Sequence, residues 1–360
     1  MKLLRDTNLR LRPSILMLFV MLTVPVFFAI VAVNYLSNEK IARSNAEELV
    51  ARFSVEAIEN VQHVFDPIKS LVRSAAAIGT EQPDFYVSKG SVNYLFSVVQ
   101  HSDRIISAYV GLSDGAFRQA RQIDPAVEIQ GKLPPPGTRY ADRWIDRLSG
   151  AAPVDHYVFL DAERRELGAS EQTTSYDPRS RLWFRTAQET RGISVSDVDV
   201  FATLGLVGFT VAAPFYADGK LQGVAAADIT LDGLSDYLSQ RKISSGTLSY
   251  ILDHQGRVIA NSDRTKTYAS QGGKVDLQHI TSLGNDIPAV AFSFRPRDVE
   301  RPFSFRHAGH DYLASLTTLP PEFGKKWQLF VITPLDDFTS AFDDHNRKLF
   351  FFGLVAIALQ

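Results

Sequence analysis

The longest uninterrupted apolar run of the chain lies close to its N-terminus. Residues 15–35 contain no charged side chain. As an α-helix rising about 1.5 Å per residue, this run would measure about 30 Å, which matches the hydrocarbon core of a bilayer. Pro25 would kink such a helix, but membrane helices tolerate proline. The pattern predicts a first transmembrane helix at residues 14–36.

A cleaved signal peptide is the alternative interpretation of this run. The run is longer than the apolar part of most signal peptides, and no clear small-x-small cleavage site follows it. Four basic residues and one acidic residue precede it. The positive-inside bias therefore predicts that residues 1–13 form a cytoplasmic tail and that the following chain lies across the membrane.

A second purely apolar run occupies residues 349–359. It is about half as long as a membrane span needs to be. We interpret residues 347–360 as the start of a second transmembrane helix, in a protein that continues beyond Gln360. Residues 37–346 are then predicted to form one extracytoplasmic region.

Helical periodicity follows the first apolar run and predicts a long amphipathic helix at residues 38–80. Its apolar positions recur at intervals of three, four or eight residues and form one stripe. They are Ile41, Leu49, Phe53, Ala57, Val61, Val64, Ile68, Leu71 and Ala75. Pro67 predicts either a kink or the start of a new helix with Asp66 as its cap.

From residue 105 onward, short runs rich in β-branched and aromatic residues alternate with turn signals. A strand, a turn and a return strand are predicted at residues 105–120, and the design is repeated at residues 248–260. Further strands are predicted at residues 157–160, 206–214, 221–229, 289–294, 303–307, 312–316 and 327–332. The pattern predicts two small antiparallel lobes, a membrane-distal lobe at about 81–235 and a membrane-proximal lobe at about 236–338.

Composition narrows the class of function. The chain has 360 residues, a formal net charge of -2 and no cysteine. The charge argues against a nucleic-acid binder, and the absence of cysteine excludes disulfides, thiolate nucleophiles and iron–sulfur clusters. The motifs of serine hydrolases, zinc proteases and phosphate loops do not occur. His307 and His310 lack a third ligand, which favours a turn, so no catalytic residue, metal or cofactor is predicted.

The order of segments, in which two apolar runs flank a long helix and two strand lobes, resembles that of the double Cache family (dCache_1). These are PAS-like extracytoplasmic sensor regions of bacterial transmembrane receptors. The passage at residues 327–338 is similar to the last strand and exit of such domains. The resemblance implies an α+β fold with a long N-terminal helix and two tandem PAS-like antiparallel-sheet lobes, flanked by transmembrane helices.

Residues 175–184 (SYDPRSRLWF) are similar to the ligand-contact segment of that family, in which a tyrosine precedes arginine-x-tryptophan-tyrosine. Members that bind free amino acids add an aspartate from a later strand. The resemblance implies ligand contacts for six residues. They are Tyr176, Arg181, Trp183, Phe184, Asp199 and Asp228, of which Phe184 and Asp199 stand where the family has tyrosines.

The chemistry of an amino acid needs these residue types. Burying either charge of a zwitterion without a partner is costly. Arg181 offers a planar fork for a carboxylate, and Asp228 offers an acceptor for an ammonium group. Because Asp199 adds a second acid against one arginine, an amine or basic ligand is favoured over a neutral amino acid. The alternative is a structural ion pair between Arg181 and Asp228, with Trp183 as a core aromatic.

The predicted function is that of a sensory receptor in the bacterial inner membrane. It binds a small amino acid or amine in the distal lobe, on the periplasmic side, and signals as a homodimer across the bilayer. The exit at residues 334–338 favours an output domain of the HAMP-linked class III adenylate or guanylate cyclase type. A histidine kinase, a chemoreceptor and a diguanylate cyclase are alternative outputs. From other classes, a membrane-anchored exported enzyme and a ligand-free structural module remain open.

Overall fold

One long helix forms the N-terminal part of the described chain. The computed structural model describes residues 11–88, 90–100, 105–147, 152–201, 206–271, 274–296, 301–321 and 324–338. Helix α1 (Leu11–Glu81) has 71 residues and contains Pro25 and Pro67 in its interior. Most of the predicted cytoplasmic tail and the whole second apolar run lie outside the described residues. Among the helices that are described, none combines the length and apolar character of a membrane span.

Helix α1 continues through Pro67, so the alternative of a new helix start at this position is wrong. Proline removes one backbone hydrogen bond from a helix interior. Phe65 and Ile68, on either side of it, are almost fully buried. Tertiary packing of the apolar stripe therefore holds the helix together where the local sequence favours an interruption.

Shorter helices connect the strands that follow. The described residues contain four further α-helices, α2 (Ser91–Gln100), α3 (Leu182–Thr190), α4 (Leu231–Ser239) and α5 (Ile287–Phe294). They also contain three 3-10 turns, at Pro83–Val87, Pro178–Ser180 and Ile280–Ser282. The hydroxyl of Thr230 accepts a hydrogen bond from the backbone N–H of Gly233 and so caps α4 at its N-terminus.

The first set of strands forms the larger sheet. Its strands are β1 (Ile105–Leu112), β2 (Phe117–Gln122), β3 (Tyr140–Asp146), β4 (Val154–Leu160), β5 (Glu166–Thr173), β6 (Ser194–Val195), β7 (Asp199–Val200), β8 (Val207–Ala217) and β9 (Lys220–Thr230). They are ordered β5-β4-β3-β2-β1-β9-β8-β6, and β7 also pairs with β8. Every pairing is antiparallel, which permits the short hairpin connections.

The second set forms the smaller sheet. Its strands are β10 (Leu248–Leu252), β11 (Val258–Asn261), β14 (Phe303–His307), β15 (His310–Thr318) and β16 (Gln328–Pro334), ordered β11-β10-β16-β15-β14. A separate pair consists of β12 (Tyr268–Gln271) and β13 (Lys274–Leu277). The predicted α+β fold, a long helix followed by two antiparallel sheets, is confirmed.

Alternation along the strands gives the larger sheet two different faces. On β8, Phe209 stacks on Phe65 of α1 with ring centroids 5.3 Å apart, whereas its neighbour Thr210 points to the opposite face. The α1 face is an apolar core that α1 shares with both sheets. The opposite face of the larger sheet is covered in part by α3. Polar side chains are concentrated on that second face.

The strand predicted at residues 289–294 is wrong, because this segment belongs to α5. Pro288 lies in the first turn of α5, where proline is well accommodated. The side chain of Asn285 accepts a hydrogen bond from the backbone N–H of Ile287 at 3.0 Å. Ala291 and Phe292 are buried against the smaller sheet. A short run that is apolar at nearly every position has no period that separates a buried helix from a buried strand.

Candidate functional site

A cavity lies on the face of the larger sheet that is turned away from α1. The space free of protein atoms, counted together with the mouth that opens to solvent, is about 500 Å³. The sheet forms the floor, and the loops before α3 and around β7 form the cover. The lining residues are Tyr109, Phe117, Gln119, Arg121, Arg143, Tyr176, Arg181, Leu182, Trp183, Ser196, Asp199, Val200, Phe201, Thr210 and Asp228.

The covering segment is shaped by capping interactions that its sequence encodes. The side chain of Asp177 accepts a hydrogen bond from the backbone N–H of Arg179 at 2.9 Å, and Pro178 begins the 3-10 turn. Arg181 then has extended backbone angles at the junction between this turn and α3. Arg147 donates to the carbonyl oxygen of Tyr176 at 2.6 Å and ties the segment to the sheet.

Asp228 is the buried carboxylate of the floor, with 5% of its surface exposed. It accepts hydrogen bonds from Ser107 at 2.7 Å, from Tyr109 at 2.6 Å and from Thr210 at 2.7 Å. Burial raises the pKa of Asp228, and the three hydroxyl bonds oppose that rise. A carboxylate has about four acceptor positions, so one further donor can still be accepted.

Arg181 lies near the mouth, with 31% of its side chain exposed. Its Nη2 atom is 3.7 Å from Oδ2 of Asp199, and it donates to the carbonyl oxygen of Val200 at 3.5 Å. Within the described residues no ion pair joins Arg181 to Asp228. The structural alternative weighed from the sequence, a salt bridge between these two residues, is therefore wrong, and the two charges stand apart on one cavity.

Aromatic side chains form the remaining wall. The rings of Trp183 and Tyr109 meet edge to face, with centroids 4.9 Å apart. Burial raises the pKa of Tyr176 to about 12, so its hydroxyl stays protonated and can donate. Phe184 packs behind Trp183 at 5.5 Å and does not line the cavity. The structure thus brings together five of the six predicted residues and places Phe184 in the core behind them.

Two further arginines of the floor were missed in the sequence. Arg143 on β3 donates to both carboxylate oxygens of Asp155, each at 2.8 Å, and its guanidinium lies 4.7 Å from the Tyr176 ring centroid. Arg121 on β2 is also buried and lines the cavity. Arg143 is neutralised by Asp155, so Arg121 and Arg181 face the two acids, and the charge count that favoured a basic ligand was incomplete.

One signal could have identified part of this floor. Strand β2 was predicted, and its alternate residues Phe117, Gln119 and Arg121 share one face. Polar residues at buried positions of a strand indicate a site, because such groups need partners. Strand β3 carries Arg143 but lacks a clear apolar run, so no strand was predicted there.

The arrangement suits a small zwitterion and does not suit metal chemistry. An ammonium group can be accepted by Asp228, and a carboxylate can be bound by a guanidinium while the aromatic rings exclude water. Among the described residues no group of three or more histidine, aspartate or glutamate side chains could hold a metal ion. His307 and His310 contact different partners, Asp286 at 3.1 Å and Asp336 at 2.7 Å.

A long helix packed on two antiparallel sheets, with a polar cavity in the larger one, defines a PAS-like sensor domain. The family model described as "Cache domain" (dCache_1) matches residues 38–342. The chain therefore belongs to the double Cache family, whose members are extracytoplasmic sensor domains of membrane receptors.

Two curated relatives come from bacterial signalling. Adenylate cyclase 1 of Rhizobium meliloti is 26% identical over 268 residues, which are 73% of this chain and 40% of the relative. The methyl-accepting chemotaxis protein PscA of Pseudomonas syringae is 30% identical over 95 residues, 26% of this chain and 15% of the relative. The chain spans less than half the length of either protein.

Solved structures share the fold at low sequence identity. The ligand-binding domain of the Campylobacter jejuni chemoreceptor Tlp3 with L-valine has a TM-score of 0.56 at 12% identity, covering 84% of this chain and 98% of that one. The corresponding domain of Pseudomonas fluorescens CtaA with L-isoleucine has a TM-score of 0.53 at 13% identity, with the same coverage.

Proposed function

We propose that this chain is the ligand-sensing region of a membrane signal-transduction receptor, and that it binds a small amino-acid-like ligand in the cavity of the larger sheet. The observation that carries the proposal is that Arg181 and Asp228 line one cavity without forming an ion pair. Each charge is held by neighbours that leave it able to bind a further group. Structural relatives with bound L-valine and L-isoleucine support this ligand class.

In the proposed complex the ammonium group of the ligand donates to Asp228, and its carboxylate binds Arg181. The nearest nitrogen and oxygen of Arg181 and Asp199 are 3.7 Å apart, which is too long for a hydrogen bond. The ligand carboxylate would therefore displace only a weak partner of Arg181. Trp183 and Tyr176 would exclude water from both contacts, which strengthens them.

Signalling requires that the ligand bind one conformation better than another. Strand β8 suggests the route, because Thr210 faces the cavity and the adjacent Phe209 stacks on α1. We place the ligand in the distal lobe (81–235) and a relay in the proximal lobe (236–338). In this proposal the receptor is a homodimer in the bacterial inner membrane, anchored by spans at residues 14–36 and from 347 onward, with its sensor in the periplasm.

For the output we favour an adenylate cyclase, because the match to Adenylate cyclase 1 covers 73% of this chain. The chemoreceptor relatives keep that class as the second candidate. Expression of the complete gene in cells that lack adenylate cyclase should raise cyclic AMP. An unchanged level, together with a chemotactic response to the same ligand, would favour the chemoreceptor.

Ligand binding is tested by thermal unfolding of the full 360-residue chain in mild detergent, against a panel of amino acids and amines. A ligand at about 100 times its dissociation constant adds about 2.7 kcal/mol, which raises Tm by roughly 4 °C for a protein of this size. Arg181→Ala and Asp228→Asn should abolish the rise. Arg185→Ala is the matched control, since Arg185 follows on α3 but is exposed and lies outside the cavity.

The result also separates the proposal from its competitors. If no compound of the panel changes Tm, the ligand-free structural module is favoured. If the panel compounds are consumed, the exported enzyme is favoured.

A further inference from the structure

Arg121 is a buried cation with unused hydrogen-bonding capacity. Only 2% of its surface is exposed, and it lines the cavity. Its Nε and Nη1 atoms have no hydrogen-bond partner. A buried guanidinium with two unpartnered donor atoms is costly, and such groups in native proteins call for an explanation.

The register of the sheet places Arg121 in one row with the ammonium acceptor. Ser107 on β1 is paired with Arg121 on β2 and with Asp228 on β9. Neighbouring strands are about 4.8 Å apart, so the Cα atoms of Arg121 and Asp228 are separated by about 10 Å. Among the described residues no ion pair joins them. The two charged residues therefore lie on either side of Ser107, and the distance between them is comparable to the length of a small molecule.

The other charges of the cavity are already matched. Arg143 is held by both oxygens of Asp155. Arg181 lies beside Asp199 at the mouth. When a ligand ammonium binds Asp228 and the α-carboxylate binds Arg181, Arg121 still faces the cavity without an anion.

A second donor lies next to Arg121. The Tyr157 hydroxyl is buried and has no hydrogen-bond partner. It lies beside Arg121 and opposes the lowering of the pKa of Arg121 by burial. Tyr157 does not line the cavity, so the two unpartnered donor atoms of Arg121 are the ones that match the acceptor positions of a carboxylate.

Resting on the proposed function, we propose that the ligand is an α-amino acid whose side chain ends in a carboxylate, and that Arg121 binds this second carboxylate. The ligand lies along the row from Asp228 over Ser107 to Arg121. Its side-chain carboxylate supplies the anion that the buried guanidinium lacks. Arg121 is then the residue that determines specificity within the amino-acid class.

The test compares each acid with its nearly isosteric amide. Titration calorimetry of the full chain in mild detergent measures the affinities for L-glutamate, L-aspartate, L-glutamine and L-asparagine. Because a hydrogen-bonded charge pair is lost in the amide, we expect one acid to bind about 10–100-fold more tightly than its amide. Arg121→Gln should bring that ratio close to one.

Arg118→Gln is the matched control. Arg118 lies on the same strand and is similarly buried, but it points to the other face and pairs with Asp146 at 2.6 Å. This variant should keep the preference for the acid. If Arg121→Gln fails to fold, Arg121→Lys replaces the fork by a point charge and should reduce the ratio without abolishing it.

The outcomes separate this inference from the proposed function. If the wild-type chain binds the amides or other neutral amino acids as tightly as the acids, and Asp228→Asn abolishes that binding, the inference is overturned and the proposed function stands. If the wild-type chain binds none of the amino acids of the wider panel, both are overturned. An acid preference that Arg121→Gln leaves intact also overturns the inference.

Discussion

The two sheets share a strand order but differ in what their covered faces hold. In the larger sheet the last strand, β9, lies between β1 and β8. In the smaller sheet the last strand, β16, lies in the same way between β10 and β15. On β9 the covered face presents Asp228 to a cavity. On β16 it presents Phe330, which meets Phe292 of α5 with ring centroids 5.9 Å apart. One fold therefore supports both a polar site and a closed apolar core.

The covering helices explain the difference. Helix α5 is almost entirely apolar and fills the face of the smaller sheet. Helix α3 carries its large apolar residues at its N-terminal end, and beyond Phe184 only Ala187 is apolar. The larger sheet therefore retains space beside α3, in which charged groups face one another. The larger sheet therefore leaves a polar cavity beneath its covering helix, whereas the smaller sheet is closed by apolar packing.

The largest expected loss of stability comes from a substitution in the core of the smaller sheet. Phe330 is fully buried, so Phe330→Ala leaves a cavity and should lower the free energy of unfolding by about 3–5 kcal/mol. Denaturant titration measures the loss. Phe294→Ala, at a phenylalanine of α5 that is 58% exposed, should change stability far less. Equal losses in the two variants would contradict the closed core.

Removal of a paired charge tests the larger sheet. Arg143→Met leaves Asp155 buried without its bidentate partner, so we expect a loss of about 3 kcal/mol. The same replacement at Arg121 removes a buried charge with two unpartnered donor atoms, and it should stabilise the ligand-free chain by about 1 kcal/mol. Denaturant titration of the two variants should therefore give opposite signs, and a large loss in both would contradict our distinction between these arginines.

A single methyl group tests the contact between sheet and cover. A Cβ atom at Gly111 would lie 2.7 Å from Cβ of Pro178 and 2.8 Å from the Trp183 ring. Gly111→Ala should therefore cost about 1–3 kcal/mol and weaken ligand binding, because the covering segment must move away. Gly284→Ala is the control, since nothing lies within 4 Å of its added Cβ. Calorimetric titration that shows unchanged ligand affinity in Gly111→Ala would argue against a site under this segment.

The smallest expected effect is the contribution of Asp228 to the pH dependence of stability. Because burial raises its pKa above 3.8, the folded chain binds this proton more tightly than the unfolded chain. Its contribution to stability should therefore fall as the pH rises from 3.8 through the raised folded pKa, and Asp228→Asn should remove that fall. Amino-acid binding should show the opposite trend and weaken as the pH drops through the same range. Unfolding curves of both proteins at several pH values provide the measurement.

The sequence predicted much of the fold and only part of the site. Periodicity identified the long helix and most of the central strands, because both depend on neighbours along the chain. It failed at α5, where all residues but Ser293 are apolar, and at β5, where the strand is polar and largely exposed. The resemblance to the family identified Tyr176, Arg181 and Asp228, and the structure brings all three to one cavity.

From the sequence alone, the class of fold, the covering segment and the two opposed charges were determined. Only the tertiary structure decided that Arg121 and Arg143 join them, that Phe184 stands behind the wall, and that Arg181 and Asp228 do not pair. The physical reason is the register of the sheet. Ser107, Arg121 and Asp228 are distant in the chain, and the ladder of β1, β2 and β9 aligns them in one row.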